Sequence, residues 1–205
     1  MIVLTEITSR EFMKSNLLRQ SLEGKIMLFL AWLVAGLAHL GQRRRSGRRY
    51  IKHPMVVAAL LARACLEAQI AALLHDVFEE TNGFVQKIFV RTIRYLFGED
   101  GFEGVFGLTN WWRDDGKYYA AMSLAIVKRP YLLLVKVADK LHVVAEPYHK
   151  SPEDERAYLM KVMEGFYCFA LAHRHYLSWP DQLIFNEMMV LLVNRVKARL
   201  VEISP

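Results

Sequence analysis

Ala72-Leu73-Leu74-His75-Asp76-Val77-Phe78-Glu79-Glu80-Thr81 joins a short apolar run to a His-Asp doublet, with two more acids one helical turn further on. Residues four apart on a helix share a face, so His75 lines up with Glu79 and Asp76 with Glu80. One imidazole and three carboxylates in so small a volume repel one another unless protons or a cation neutralise them. A divalent metal is the simplest neutraliser. For this stretch alone, a helix end carrying solvated acids is the plainer reading. The rest of the chain decides between the two.

Outward from this stretch the spacing of apolar residues is helical, and no alternating strand pattern appears. Ser9 to Gln20 reads as a first helix, and Gly24 breaks it. Lys25 to Gln42 is a long, mostly buried helix. Gly41 to Lys52 is a basic loop with a Ser46-Gly47 turn, and Pro54 suits the first turn of a helix reaching Leu66. Glu67 to Asp76 delivers the His-Asp doublet. Phe84 to Phe97 is stopped by Gly98, and Asp100 to Trp112 follows with glycine interruptions. Arg113 to Gly116 is a loop, and Lys117 to Lys128 and Tyr131 to Val144 are helices. Pro147 and Pro152 bracket a loop before two closing helices, Pro152 to His175 and Pro180 to Val201. An all-α bundle follows, organised as one domain over residues 1–205.

The composition fits that architecture. Of 205 residues, 54% are hydrophobic, enough for a substantial core and too many for a disordered chain. The formal charge is +6, concentrated where Arg43, Arg44, Arg45, Arg48, Arg49 and Lys52 fall within ten positions. Such a cluster suits an anionic ligand. Without a recognised nucleic-acid motif it is weak evidence for a nucleic-acid partner. Cys65 and Cys168 stand far apart in apolar helical contexts and read as buried thiols, not as a disulfide framework. The polar N-terminal residues are not a secretory signal, and the apolar run Ile26 to Leu40 is short for a membrane span. A cytoplasmic protein without a membrane partner is expected.

Four blocks then stand out in order: Ala38-His39-Leu40-Gly41-Gln42-Arg43-Arg44-Arg45-Ser46-Gly47, Tyr50-Ile51-Lys52-His53-Pro54, Ala72-Leu73-Leu74-His75-Asp76-Val77, and Val137-Ala138-Asp139-Lys140-Leu141-His142. The series resembles the hydrolase domain of the RelA/SpoT alarmone enzymes, which belongs to the HD phosphohydrolases. The motifs cover residues 28–144, and helices over 152–201 complete the HD-domain bundle. At this length the chain resembles a stand-alone small alarmone hydrolase. The resemblance implies that His53, His75, Asp76 and Asp139 hold a divalent metal, manganese in the family. It also implies that Glu79 and Glu80 orient and deprotonate the attacking water. Imidazole nitrogens and carboxylate oxygens suit a first-row divalent ion, and the residue types alone leave Mn²⁺, Fe²⁺, Zn²⁺ and Mg²⁺ open. Arg44 matches the family arginine that packs on the guanine base, and a planar guanidinium stacks well on a purine. Ser46, Lys52 and Lys140 are candidate substrate contacts. Arg43, Arg45, Arg48 and Arg49 are available to further phosphates, and His39 braces the loop.

The implied reaction is removal of the 3′-pyrophosphate from a guanosine alarmone, (p)ppGpp, to give GDP or GTP and pyrophosphate. Three positions depart from the family pattern. Glu80 stands where the family has Asp, Val143 replaces an asparagine, and Leu108-Thr109-Asn110 replaces a Thr-Lys motif. One extra methylene moves a carboxylate by about 1.5 Å, and a misplacement on that scale costs about a hundredfold in rate. A weak or substrate-shifted enzyme is compatible with these changes. The alternatives are another nucleotide such as NADPH, and an antitoxin or sensor partnered with a small alarmone synthetase. A homo-oligomer is a further possible partner state.

Overall fold

The computed structural model describes residues 21–111, 114–146 and 151–203. The helix expected over Ser9 to Gln20 lies outside them, as do parts of the loops expected around Arg113 and Pro147.

Helix α1 (Leu22–Ala38) begins where Ser21 Oγ accepts the Gly24 N–H at 3.2 Å. That cap satisfies one of the free amides of the first turn. Gly24 therefore lies inside the helix and does not break it, a correction to the start expected at Lys25. Residues 42–50 then fold back on themselves. Tyr50 N–H donates to Gln42 O at 3.0 Å, Arg44 N–H to Arg48 O at 2.9 Å, and Arg43 pairs with Arg49 across an isolated antiparallel bridge. Gly47 takes φ +79° at the tip, a conformation that costs glycine nothing. The basic loop is thus a small, ordered hairpin.

Helix α2 (Lys52–Leu60) carries Pro54 in its first turn and stops six residues short of the expected Leu66. Helix α3 (Leu66–Leu74) ends one residue before the His-Asp doublet, and residues 75–79 continue as turns. The helical alignment assumed for the doublet survives in part, because Glu80 N–H still donates to Asp76 O at 3.0 Å. Helix α4 (Gly83–Leu108) is bent at Gly98, whose φ of +71° and ψ of 179° lie outside the helical region. The bend separates buried Phe89 and Ile93 from buried Phe102, Val105 and Leu108.

Helix α5 (Asp115–Lys128) is capped by Asp114, whose Oδ1 accepts the Lys117 N–H. Helix α6 (Tyr131–Ala145) follows. The single helix expected from Pro152 to His175 is four pieces: α7 (Pro152–Lys161), a π-turn at Val162–Phe166, α8 (Tyr167–His173) and a 3₁₀ turn at Arg174–Tyr176. Helix α9 (Trp179–Glu202) closes the described chain, with Ser178 as its cap. No strand forms among the described residues, and none of their helices is long and apolar enough to cross a membrane.

Helix α6 is the centre of the bundle. It packs against α2, α3 and α9, and Leu132, Leu133, Leu134, Val135, Val137, Ala138 and Leu141 are all fully buried. A helix covered on every side has no solvent face for polar residues. Lys136, Asp139 and His142 are therefore buried with it, and each needs a partner. Cys65 and Cys168 depart from expectation in the other direction. Both are exposed, Cys65 as the residue preceding α3 and Cys168 on α8.

The bend in α4 generates a test. A Cβ at position 98 would meet no atom within 4 Å, so only the backbone conformation resists a side chain there. Gly98→Ala should lower unfolding free energy by about 1–3 kcal/mol in urea titration, and an unchanged midpoint would contradict the assigned bend.

Candidate metal centre and active site

Helices α2, α3 and α6 each bring one polar group to the same buried point. His53 comes from the first turn of α2, His75 from the end of α3, and Asp139 from the middle of α6. One ligand atom from each lies within 4.8 Å of the others. His53 Nε2 stands 3.2 Å from His75 Nε2 and 3.3 Å from Asp139 Oδ1. Asp76 sits alongside, with Oδ1 3.1 Å from His75 Nε2 and Oδ2 3.5 Å from His53 Nε2.

Proton accounting shows what this group lacks. His75 Nδ1 lies 2.7 Å from the Ala72 carbonyl, which only accepts, so Nδ1 carries the proton and Nε2 presents a lone pair. His53 Nδ1 lies 2.7 Å from His142 Nδ1, and one of those two nitrogens donates. With neutral imidazoles, two ring nitrogens and two carboxylates face one another with at most one proton among them. A cation resolves the repulsion. Two ligands about 2.1 Å from one ion stand about 3.0–3.4 Å apart at right-angled to tetrahedral geometry, which matches most of the spacings here. The donor set suits a divalent first-row ion, with His142 and the Ala72 carbonyl orienting the two rings from behind.

The surrounding charges favour the ligating forms. Burial would raise the Asp139 carboxyl, but Lys136 and Lys140 outweigh it and hold it well below the usual carboxylate range. Lys136 Nζ is 3.1 Å from Asp139 Oδ2. Burial alone would lower that ammonium, yet Tyr118, Asp139 and Glu79 raise it well above its ordinary value. Burial, reinforced by His53 and Arg44, lowers His142 to about 3, and burial also lowers His53. Both shifts favour the neutral imidazole at His53 and His142.

Glu79 and Glu80 stand on the solvent side of this cluster, both exposed. Glu79 Oε1 accepts the Asn110 N–H at 2.7 Å. Partial desolvation in the cleft pushes its carboxyl up, with Lys136 pulling the other way. Tyr50 Oη lies 3.0 Å from Glu80 Oε1 and 2.9 Å from Asp76 Oδ2, so one phenol bridges the metal-side acid and the outer one. The longer arm of Glu80 spans the gap to that phenol. Gln42 reinforces the link by donating to the Glu80 carbonyl at 2.9 Å while its Oε1 meets His39 Nδ1, also at 2.9 Å. His39 thus braces the hairpin and stacks on Tyr50. A cavity of about 600 Å³ opens beside Glu79, Glu80, Thr109 and Asn110.

The expected substrate residues fall in separate places, with only Arg44 and Ser46 together. Arg44 and Ser46 are on the hairpin, both held by Glu146 at the end of α6. Arg44 Nε is 2.8 Å from Glu146 Oε2, and Ser46 Oγ donates to Glu146 Oε1 at 2.8 Å. Lys52 opens α2 with an exposed side chain. Lys140 stands on the other side, 4.0 Å from Asp139 Oδ2, in a smaller cavity that Lys136, Lys161 and Glu79 also line.

Four working parts were missed from sequence: Tyr50, Lys136, His142 and Glu146. Three of them carry a partial signal, a demand for partners without the partners' identity. Lys136, Asp139, His142 and Glu146 recur at helical spacing along an otherwise apolar helix, and a charged stripe on a buried helix demands partners.

Comparison with known proteins places the chain in a family. Residues 31–175 match the HD domain family, so the chain belongs to the HD-domain proteins. Within that class, 154 residues are 35% identical to the bifunctional (p)ppGpp synthase/hydrolase SpoT of Escherichia coli, covering 70% of this chain and 21% of that protein. Over 128 residues it is 38% identical to a probable guanosine-3′,5′-bis(diphosphate) 3′-pyrophosphohydrolase of Synechocystis, covering 58% of this chain and 16% of that one. The chain thus spans about a fifth of the length of these curated relatives. A solved structure of a metazoan ortholog of SpoT superposes with a TM-score of 0.61 at 20% identity, covering 84% of this chain and 95% of that one, a likeness of fold.

Chelator-treated protein should take up one divalent ion per chain, followed by calorimetric titration with Mn²⁺. Asp139→Asn should abolish that uptake, and His142→Phe should weaken it about 10–100-fold. Undiminished binding by both variants would rule out this ligand set.

Proposed function

We propose that this chain hydrolyses the 3′-pyrophosphate of (p)ppGpp, releasing GDP or GTP and pyrophosphate, with His53, His75, Asp76 and Asp139 holding a divalent ion, Mn²⁺ by family resemblance. The observation that carries the reading is the convergence of those four acceptors beside two carboxylates at the edge of an open cavity. The printed activities of the relatives support the choice of substrate.

A divalent ion at this point supplies charge neutralisation at a phosphoryl oxygen and acidifies water. The chain's own residues do the rest. Glu79, fixed by the Asn110 amide and with its carboxyl raised by burial, takes the proton of the attacking water. That water's oxygen bonds to the phosphorus on O3′, the P–O3′ bond breaks, and the proton accepted by Glu79 passes to the departing O3′ by way of the neighbouring Glu80 carboxylate, which Tyr50 holds in place. Lys136 and Lys140 offset negative charge on the released diphosphate. The arginine hairpin, joined to the centre through Tyr50, would receive the nucleoside.

Purified protein supplied with Mn²⁺ should convert ppGpp into equal amounts of GDP and pyrophosphate by anion-exchange chromatography. Glu79→Gln should lower kcat about 10²–10⁴-fold while retaining metal. Intact ppGpp after prolonged incubation would end this reading. Release of phosphate from NADPH under the same conditions, with ppGpp untouched, would move the substrate instead.

A further inference from the structure

The arginine that matches the family's base-packing residue is not a free arm. Its side chain is 9% exposed and its Nε meets Glu146 Oε2 at 2.8 Å, with the Glu146 side chain only 4% exposed. The other oxygen of the same carboxylate accepts from Ser46 Oγ at 2.8 Å. Arg44 and Ser46 are two of the four residues of the hairpin turn, which Gly47 N–H closes by donating to Arg44 O at 2.9 Å. One carboxylate therefore grips both sides of the turn. The guanidinium is held on its other flank by Tyr50, whose ring centroid lies 5.6 Å from Cζ.

Glu146 also belongs to the helix that carries the metal ligand. It caps α6 seven residues after Asp139, two helical turns along the same face and about 10 Å away at 1.5 Å per residue. Its N–H donates to His142 O at 3.0 Å, so its backbone continues the helix that sets Asp139 in place. The distance from metal centre to base-facing arginine is thus fixed through one rigid element.

We infer that Glu146 is a positioning residue for the nucleotide pocket: its carboxylate clamps Arg44 and Ser46 of the hairpin to the end of α6 and sets the orientation in which Arg44 meets the base. The inference rests on the nucleotide hydrolase reading above. The two oxygens of one buried carboxylate engage different side chains of the turn, an ion pair with Arg44 and a hydrogen bond from Ser46, and so tie both to one point; a guanidinium that must present one face to a ring gains from losing its rotameric freedom beforehand. Glu146 touches neither the metal cluster nor the acid pair, so its effect falls on binding.

Two measurements test the clamp, one independent of turnover. In hydrogen exchange, Glu146→Ala should speed exchange at the Arg44 and Gly47 amides at least tenfold while amides 134–141 of α6 keep their protection. In kinetics with ppGpp and Mn²⁺, Glu146→Ala should raise KM about tenfold or more with a much smaller change in kcat. Arg44→Ala should do the same, and the double variant should be no worse than either single one, the mark of residues acting as a unit. Glu146→Gln, which retains the shape and one acceptor, should fall between. Additive effects of the two alanine variants, unaltered hairpin exchange, or loss of kcat with KM unchanged would overturn the clamp. Inactive wild-type protein would remove the substrate reading, and the exchange experiment would still decide whether the clamp exists.

Discussion

Too few protons for too many acceptors: that imbalance is the constraint around which this structure is arranged. His75 spends its ring proton on the Ala72 carbonyl, which leaves its Nε2 facing His53 Nε2, Asp76 and Asp139. Buried groups of like polarity at such distances cost several kcal/mol unless neutralised. A divalent ion removes the conflict. The lysine at position 136 supplies part of the balance from behind, which is why an ammonium is tolerated inside a helix that is otherwise apolar and covered.

The same helix organises the outer parts of the site. Along one stripe α6 presents Lys136 to Asp139, Asp139 to the ring nitrogens, His142 to His53, and finally Glu146 to the hairpin. A second route runs from the hairpin back to the acids through Tyr50, which bridges Asp76 and Glu80. The hairpin is therefore joined to the His53–His75–Asp139 cluster and to the Glu79–Glu80 acids by separate contacts. This arrangement gives physical meaning to a departure from the family pattern. Glu80 is one methylene longer than aspartate, and its reach ends at a phenol that holds it, so the added length does not leave the carboxylate loose.

Much of this was legible in the sequence, for identifiable reasons. The helical class followed from apolar spacing, and the convergence of His53, His75, Asp76 and Asp139 followed from four motifs in order. What failed was local. Glycine's poor helix propensity points to a break at Gly24, yet Ser21 caps the turn that contains it. Apolar spacing carries the helix through His75 and Asp76, whereas α3 ends at Leu74 and the doublet sits in turns. Apolar neighbours point Cys65 and Cys168 to the interior, but both are exposed. Tyr50, His142 and Glu146 carried no unambiguous signal individually. Their partners lie 26, 89 and 100 residues away in sequence, beyond the reach of any local pattern.

The most direct test is to look for the ion. Crystals grown with Mn²⁺ and measured on both sides of its absorption edge should show one anomalous peak about 2.0–2.3 Å from His53 Nε2, His75 Nε2 and an oxygen of Asp139, with Asp76 completing the set. A fully occupied peak elsewhere, or none at this point under saturating metal, would contradict the account.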